Sequence, residues 1–184
     1  MKEYSLSKAF QLIEPGPVVL LTTSDKGKNN VMTMSWHMDV EFTPQIACIV
    51  SEADYSFTAL RKNKECVLAI PTIEMINTVV DIGNCSGQDV DKFTKFKLSI
   101  LPAEKVKPPL LPQCLANIEC RVIDSSLIKK YNMFILEGVK AWIDPKHKEK
   151  KTFHYNGDGT FRVDGQTLNL KRKMVKWKEL IASF

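Results

Sequence analysis

Between Asn29 and Met38 the chain reads NNVMTMSWHM, a run whose alternation separates two kinds of side chain. On one extended strand, residues two apart share a face. Met32, Met34, Trp36 and Met38 therefore form a soft apolar side, and Val31, Thr33, Ser35 and His37 form the other. Two hydroxyls and an imidazole on that second side suit the polar edge of a planar ligand. The plain alternative is a Met-lined core strand with a solvated back. Two further segments offer anion chemistry. In SEADYSFT, residues 51–58, a strand runs into a helix start, where free backbone N–H groups and the hydroxyls of Ser51, Tyr55, Ser56 and Thr58 can meet a negative charge. In GNCSGQDVDKF, residues 83–93, Ser86-Gly87 allows close approach of main chain, and Lys92 supplies the positive charge that a phosphate monoester requires. An ordinary N-cap and an ordinary loop are the alternatives for these two segments.

The remaining candidate residues point less strongly to chemistry. His37 lies on the 29–38 strand, His154 stands in the late Phe153-His154-Tyr155 segment, and His147 sits among lysines; surface or structural roles are the default for all three. Without spaced partners, they do not suggest a metal centre. The five cysteines, Cys48, Cys66, Cys85, Cys114 and Cys120, contain no C-x-x-C pair, so neither a disulfide framework nor a zinc knuckle is indicated. At least four of them read as small buried apolar side chains.

A chain of 184 residues with 44% apolar content has the length of one domain and ample material for a core. No apolar run reaches the ~18 residues that span a bilayer, and the start MKEYS lacks a secretion pattern, so a cytoplasmic protein without membrane insertion is expected. The net charge of +5 comes from the tail, because residues 146–184 hold 10 Lys and Arg against 4 Asp and Glu. Within residues 168–184, Leu170, Met174, Trp177 and Ile181 fall at helical spacing among lysines, which predicts a short basic amphipathic helix. The body carries no matching basic stripe with aromatics, and nucleic-acid binding is not expected.

The elements that must position these residues follow from pattern. Leu6, Ala9, Phe10 and Ile13 suggest a short helix behind Ser5 as N-cap, ended by Pro15-Gly16-Pro17. VVLLTT, residues 18–23, is a buried strand that turns through Asp25-Lys26-Gly27 into the 29–38 strand. Strands follow over 45–51, 66–70, 115–123 and 133–143, with helices over 55–63 and 73–80 and a late hairpin over 151–163. The Pro-rich stretch 107–112 reads as an extended connection within a single domain covering 1–184. Many strands, few short helices and tight turns predict a mostly β, Greek-key-like antiparallel barrel.

The ordered set VVLLTT, NNVMTMSWHM, SEADYSFTAL, GNCSGQDVDKF, NIECRV and FILEGV, spread over residues 12–165, resembles the flavin reductase-like domain family, including flavoredoxins. The resemblance implies an FMN-binding split β-barrel, usually a homodimer, acting in electron transfer as a flavin reductase or a flavoredoxin. It also implies roles for individual residues. Thr33, Met34, Ser35 and Trp36 would lie along the isoalloxazine ring, with His37 at its edge. Ser51, Tyr55, Ser56 and Thr58 would lie near the ribityl phosphate, and Cys85, Ser86, Gly87 and Lys92 would close over it. No catalytic residue is implied, because hydride transfer needs only a donor placed over the ring. Two departures from the family pattern stand out. Gln88 replaces a frequent Arg after the Ser-Gly pair, and Lys130-Tyr131-Asn132 replaces the Gly-Asp-His typical of NADH-using reductases. The second moves the expected electron source from NAD(P)H toward a redox partner protein.

Overall fold

In the computed structural model, which describes residues 1–147, 150–177 and 179, the chain builds one large antiparallel sheet. Its strands in chain order are β1 (Lys2–Tyr4), β2 (Val19–Asp25), β3 (Lys28–Met34), β4 (His37–Glu41), β5 (Gln45–Ile49), β6 (Glu65–Ile70), β7 (Ala116–Asp124) and β8 (Met133–Ile143). The spatial order is β3-β2-β6-β7-β8-β5-β4, with β1 added on β8. The two end strands, β3 and β4, are joined only by Ser35-Trp36, which can span roughly 10 Å. The ends of the sheet must therefore lie close together, and the sheet rolls into a split barrel.

The two faces of this sheet explain the sequence patterns. Toward the barrel interior pack Leu21, Leu68, Ile118, Leu136 and Ile46, with Phe57 and Leu60 of helix α1 (Tyr55–Asn63) closing one end. Outside, Leu20, Val31 and Ala69 are covered by Val79 and Ile82 of helix α2 (Ile76–Gly83), which follows a 3-10 turn over Ile73–Met75. Because β2 and β6 are covered on both sides, they read as continuous apolar runs instead of alternating ones. The turn between β2 and β3 is a two-residue hairpin in which Lys26 and Gly27 both have positive φ, the geometry that matches strand twist.

Several expectations need correction. The predicted 29–38 strand is two strands, so the apolar side does not continue. Met34 is buried in the barrel core, whereas Trp36, in the link before β4, and Met38, on β4, are 69% and 61% exposed. The helix after Ser5 is a 3-10 helix over Leu6–Leu12, and Ser5 makes no side-chain cap; its hydroxyl pairs with that of Ser7. Two short helices escaped the sequence reading, α3 (Lys92–Lys95) and α4 (Ile128–Tyr131). The late hairpin forms as β9 (Phe153–Tyr155) and β10 (Phe161–Val163), a separate two-stranded sheet. His154 fixes it in place, with Nδ1 2.9 Å from the Gly16 carbonyl and Nε2 2.8 Å from Asp164 Oδ1. The Pro-rich connection is tied down too, since Thr22 donates to the Pro109 carbonyl at 2.8 Å and Leu110 and Leu111 are buried.

The basic tail departs most from its pattern. Lys171–Lys173 and Val175–Trp177 form 3-10 turns, and Leu168, Leu170, Met174 and Val175 are exposed. Lys178 and Ile181 lie outside the described residues. Among the described residues, no helix is long and apolar enough to cross a membrane, and no group of three His, Cys, Asp or Glu side chains could hold a metal.

Candidate functional site

A cavity of about 500 Å³ opens where β3, the start of α1, the end of α2 and the loop before α3 meet. Each wall has a local cause. Asp54, the N-cap residue of α1, turns its carboxylate back to the Ser51 N–H at 2.9 Å and makes no side-chain cap, which leaves the first-turn N–H groups of Tyr55 and Ser56 without a side-chain acceptor. The end of α2 is held to β3 by the Thr33 hydroxyl, which donates to the Val79 carbonyl at 2.5 Å. The loop is ended by Asp91, whose carboxylate accepts from the N–H groups of Phe93 and Thr94 and from the Thr94 hydroxyl, a strong N-cap that orients Lys92 as the first residue of α3.

The loop approaches β3 and α1 as closely as a main chain can. A Cβ on Gly87 would stand 2.0 Å from Asn30 Oδ1, 2.6 Å from Asn30 Cγ and 2.9 Å from Tyr55 Cδ1. Only glycine fits there. Asn30 is buried and donates from Nδ2 to Ser56 Oγ at 2.8 Å, which links strand, helix and loop through one amide. Lys28 reinforces the same junction: its Nζ donates to the Gly87 carbonyl at 3.1 Å and lies 5.2 Å from the centre of the Tyr55 ring.

The electrostatics favour an anion. Lys92 is only 5% exposed, and its ammonium donates to the Ile82 carbonyl at 2.9 Å, which leaves further N–H donors for a ligand. Burial pulls its pKa below the ordinary lysine value, against the opposing pull of Cys85 and Asp54. A negative ligand would restore the preference for the charged form.

The structure brings together Thr33, Tyr55, Ser56, Cys85, Ser86, Gly87 and Lys92 around this cavity. Cys85 is half-buried, with its thiol directed toward the Asp81 and Ile82 carbonyls at 3.6 and 3.9 Å. It does not bring the other named residues there. Met34 belongs to the core, and Ser35 and Trp36 form the link between strands. His37 turns its Nε2 to the Pro17 carbonyl at 2.6 Å, and burial pushes its pKa down. The Ser51 hydroxyl accepts from the Ala53 N–H at 3.2 Å, and Thr58 lines a neighbouring cavity of about 290 Å³. Sequence reasoning missed Asn30 and Lys28, and it placed Met32 on the apolar side of the strand without naming it a ligand contact. Asn30 had a visible signal, since asparagine is depleted in strand interiors.

A second feature lies on β4, where Asp39 has both carboxylate oxygens buried without a hydrogen-bond partner among the described residues, in a cleft shared with Glu14. Burial, with repulsion from Glu14 second, pushes its pKa up to about 7.

The chain has known relatives in sequence and in fold. The profile of the family described as Flavin reductase like domain matches residues 13–162. A protein of Archaeoglobus fulgidus is 33% identical over 118 residues, covering 64% of this chain and 67% of its own. The YddH protein of Escherichia coli is 29% identical over 176 residues, covering 88% and 93%. Among solved structures, an FMN-binding domain of flavin reductases-like enzyme from Shewanella baltica superimposes with a TM-score of 0.85 at 23% identity, over 91% of this chain and 96% of that one. The flavoredoxin of Desulfovibrio vulgaris gives 0.77 at 20%, over 84% and 89%. Nitrilotriacetate monooxygenase component B from Bacillus cereus gives 0.72 at 16%, over 86% and 88%. At these identities the structural likenesses establish the fold.

Proposed function

The chain belongs to the flavin reductase-like domain family, and from that premise we propose that it binds FMN in the β3–α1–α2 cavity and acts as an electron-transfer flavoprotein. One observation carries this reading: the contact of Gly87 with Asn30 and Tyr55 places a hydroxyl-rich loop and a buried lysine against a helix start. That donor set fits a phosphate monoester. Ser56, Ser86, the first-turn amides of α1 and Lys92 would hold the phosphate, and Met32 with Thr33 would border the apolar ring. When bound, FMN supplies hydride and single-electron chemistry. The protein's own part is to bind, orient and charge-balance the cofactor. Thr33 keeps its hydroxyl on the Val79 carbonyl and so holds the α2 wall in place, while Lys28 locks the loop through Gly87.

Among the relatives' activities, a flavoredoxin-like carrier fits better than direct NAD(P)H oxidation. The segment where reductases carry Gly-Asp-His is here the end of α4, with Asn132 in a left-handed cap before β8. The exposed apolar side chains of Trp36, just before β4, and of Met38 and Val40 on β4 favour a homodimer that covers them. Anaerobic titration of the FMN-loaded protein tests the reading. Dithionite or a low-potential protein donor should bleach the flavin while NADH and NADPH do so slowly or not at all. Rapid bleaching by nicotinamides would make the protein a flavin reductase, and failure to bind FMN would remove both.

A further inference from the structure

A third cavity, of about 220 Å³, shares no residue with the first two and lies between β4 and the end of the 3-10 helix, lined by Phe10, Glu14, Asp39, Val40, Glu41 and Phe42. Its ionisable side chains are all carboxyls. Glu14 and Glu41 are exposed, and neither makes an ion pair among the described residues. The two Asp39 oxygens are sealed from solvent without a hydrogen-bond partner. A carboxylate held in that way gains from a cation placed nearby. Among the described residues no group of three ligating side chains could hold a metal, so the cation that fits is a basic side chain. Its stem finds an apolar wall in Phe10 and Phe42, which meet edge to face at 5.0 Å. The matching charge stands in the tail. Lys171, Arg172 and Lys173 form a 3-10 turn, are all exposed, and make no ion pair among the described residues. Leu168, Leu170, Met174 and Val175 beside them are exposed as well. Within one chain the cleft thus stays hollow while these basic side chains stay in solvent.

We propose that this cleft receives the basic segment 168–175 of a second copy of the chain, so that two copies exchange their tails. The inference rests on the homodimer reading above, because Val40, in the cleft wall, also belongs to the exposed apolar row with Met38 that the dimer covers. The cleft therefore lies at the rim of that surface. There Lys171, Arg172 and Lys173 of the second copy meet Glu14 and Glu41 and bring positive charge before Asp39, while Leu170 and Met174 pack on Val40 and Phe42. Two-fold symmetry makes the contact twice in each dimer. Charge complementarity of this kind selects the partner and its orientation.

The test follows dimerisation of the intact chain by sedimentation, with circular dichroism as the check that each variant folds. One variant reverses the cleft, Glu14→Lys with Glu41→Lys, and the other reverses the tail, Lys171→Glu with Arg172→Glu and Lys173→Glu. All five positions are exposed, so both variants should fold. Each alone sets like charges against each other and should weaken the dimer at least about tenfold. Mixed in equal amounts they should pair again, because in the mixed dimer both cleft and tail contacts join opposite charges. Salt should weaken the parent dimer in the same way as reversal does. A parent dimer that ignores both reversals would overturn the tail exchange and leave the β4 dimer standing. Reversals that lower the thermal midpoint without changing the dimer would put each tail in its own cleft, which also overturns it. Failure of the mixture to pair would do the same. A parent that is monomeric at every concentration would remove the dimer reading itself and the exchange with it.

Discussion

Substituting Gly87 by alanine tests the site at its tightest contact. The added methyl would stand 2.0 Å from Asn30 Oδ1 and 2.6 Å from Asn30 Cγ, more than about 1 Å inside ordinary contact distance. The Asn30 amide cannot swing away freely, because its Nδ2 is bound to Ser56 Oγ at 2.8 Å, and the loop cannot retreat freely, because Lys28 holds the Gly87 carbonyl at 3.1 Å. Relief therefore breaks one of these bonds and moves the loop outward. Overpacking plus one lost hydrogen bond corresponds to about 2–4 kcal/mol in total, shared between stability and FMN affinity. FMN fluorescence quenching should report at least a ~10-fold weaker complex, and thermal unfolding a lower midpoint. Adding Asn30→Ala removes the two shortest clashes and leaves the 2.9 Å contact with Tyr55, so the double variant should lose less than the two single changes combined. An alanine variant that binds FMN like the parent would refute the claim that this contact shapes the site.

Four further outcomes follow from the structure. Lys92→Met should weaken FMN by about 1–3 kcal/mol and leave riboflavin, which has no phosphate, nearly unaffected; an equal effect on both would place the phosphate elsewhere. Because burial lowers the Lys92 pKa, parent FMN affinity should fall as pH rises toward the ordinary lysine range, and calorimetry across that range should show proton uptake on binding, whose absence would detach Lys92 from the ligand. Asp39, raised from 3.8 to about 7, keeps the folded chain more protonated than the unfolded one between those values, so stability declines as pH rises through that window. Asp39→Asn should flatten this decline by about 1 kcal/mol, a figure reduced for solvent screening; parallel melting curves for parent and variant between pH 4 and 7 would contradict it. Finally, Trp36→Lys, at a position 69% exposed in the single chain, should convert a dimer to monomers in sedimentation velocity, and an unchanged dimer would move the interface off β4.

Local signals made much of the fold legible. Helix α1 and strand β8 lie where periodicity placed them, and β2 and β6 announced two-sided burial through unbroken apolar runs. The break between β3 and β4 was not legible, because Met34, Trp36 and Met38 continue the alternation on paper although the chain crosses from one end of the sheet to the other at Ser35-Trp36. Helix α3 is a single turn, too short for a periodic pattern, and its signal was only the cap Asp91. In the site, the loop and the α1 start could be named from glycine, hydroxyls and lysine. Asn30 carried only the weak signal of an asparagine inside a strand and Lys28 carried none, because their roles arise from contacts with residues 26 and 59 positions away. The tail shows the opposite failure. A helical spacing was present, but residues 171–173 and 175–177 form 3-10 turns with Leu168, Leu170, Met174 and Val175 uncovered, and Ile181 lies outside the described residues. Amphipathic pattern stabilises a helix only where a surface receives it.

The most direct test of the account is a crystal structure of the protein grown with FMN. The account predicts the phosphate within hydrogen-bond reach of Ser56, Ser86 and Lys92 Nζ, with Gly87 still against Asn30. Density for FMN at another surface, or an empty cleft in crystals that contain it in excess, would contradict the central claim.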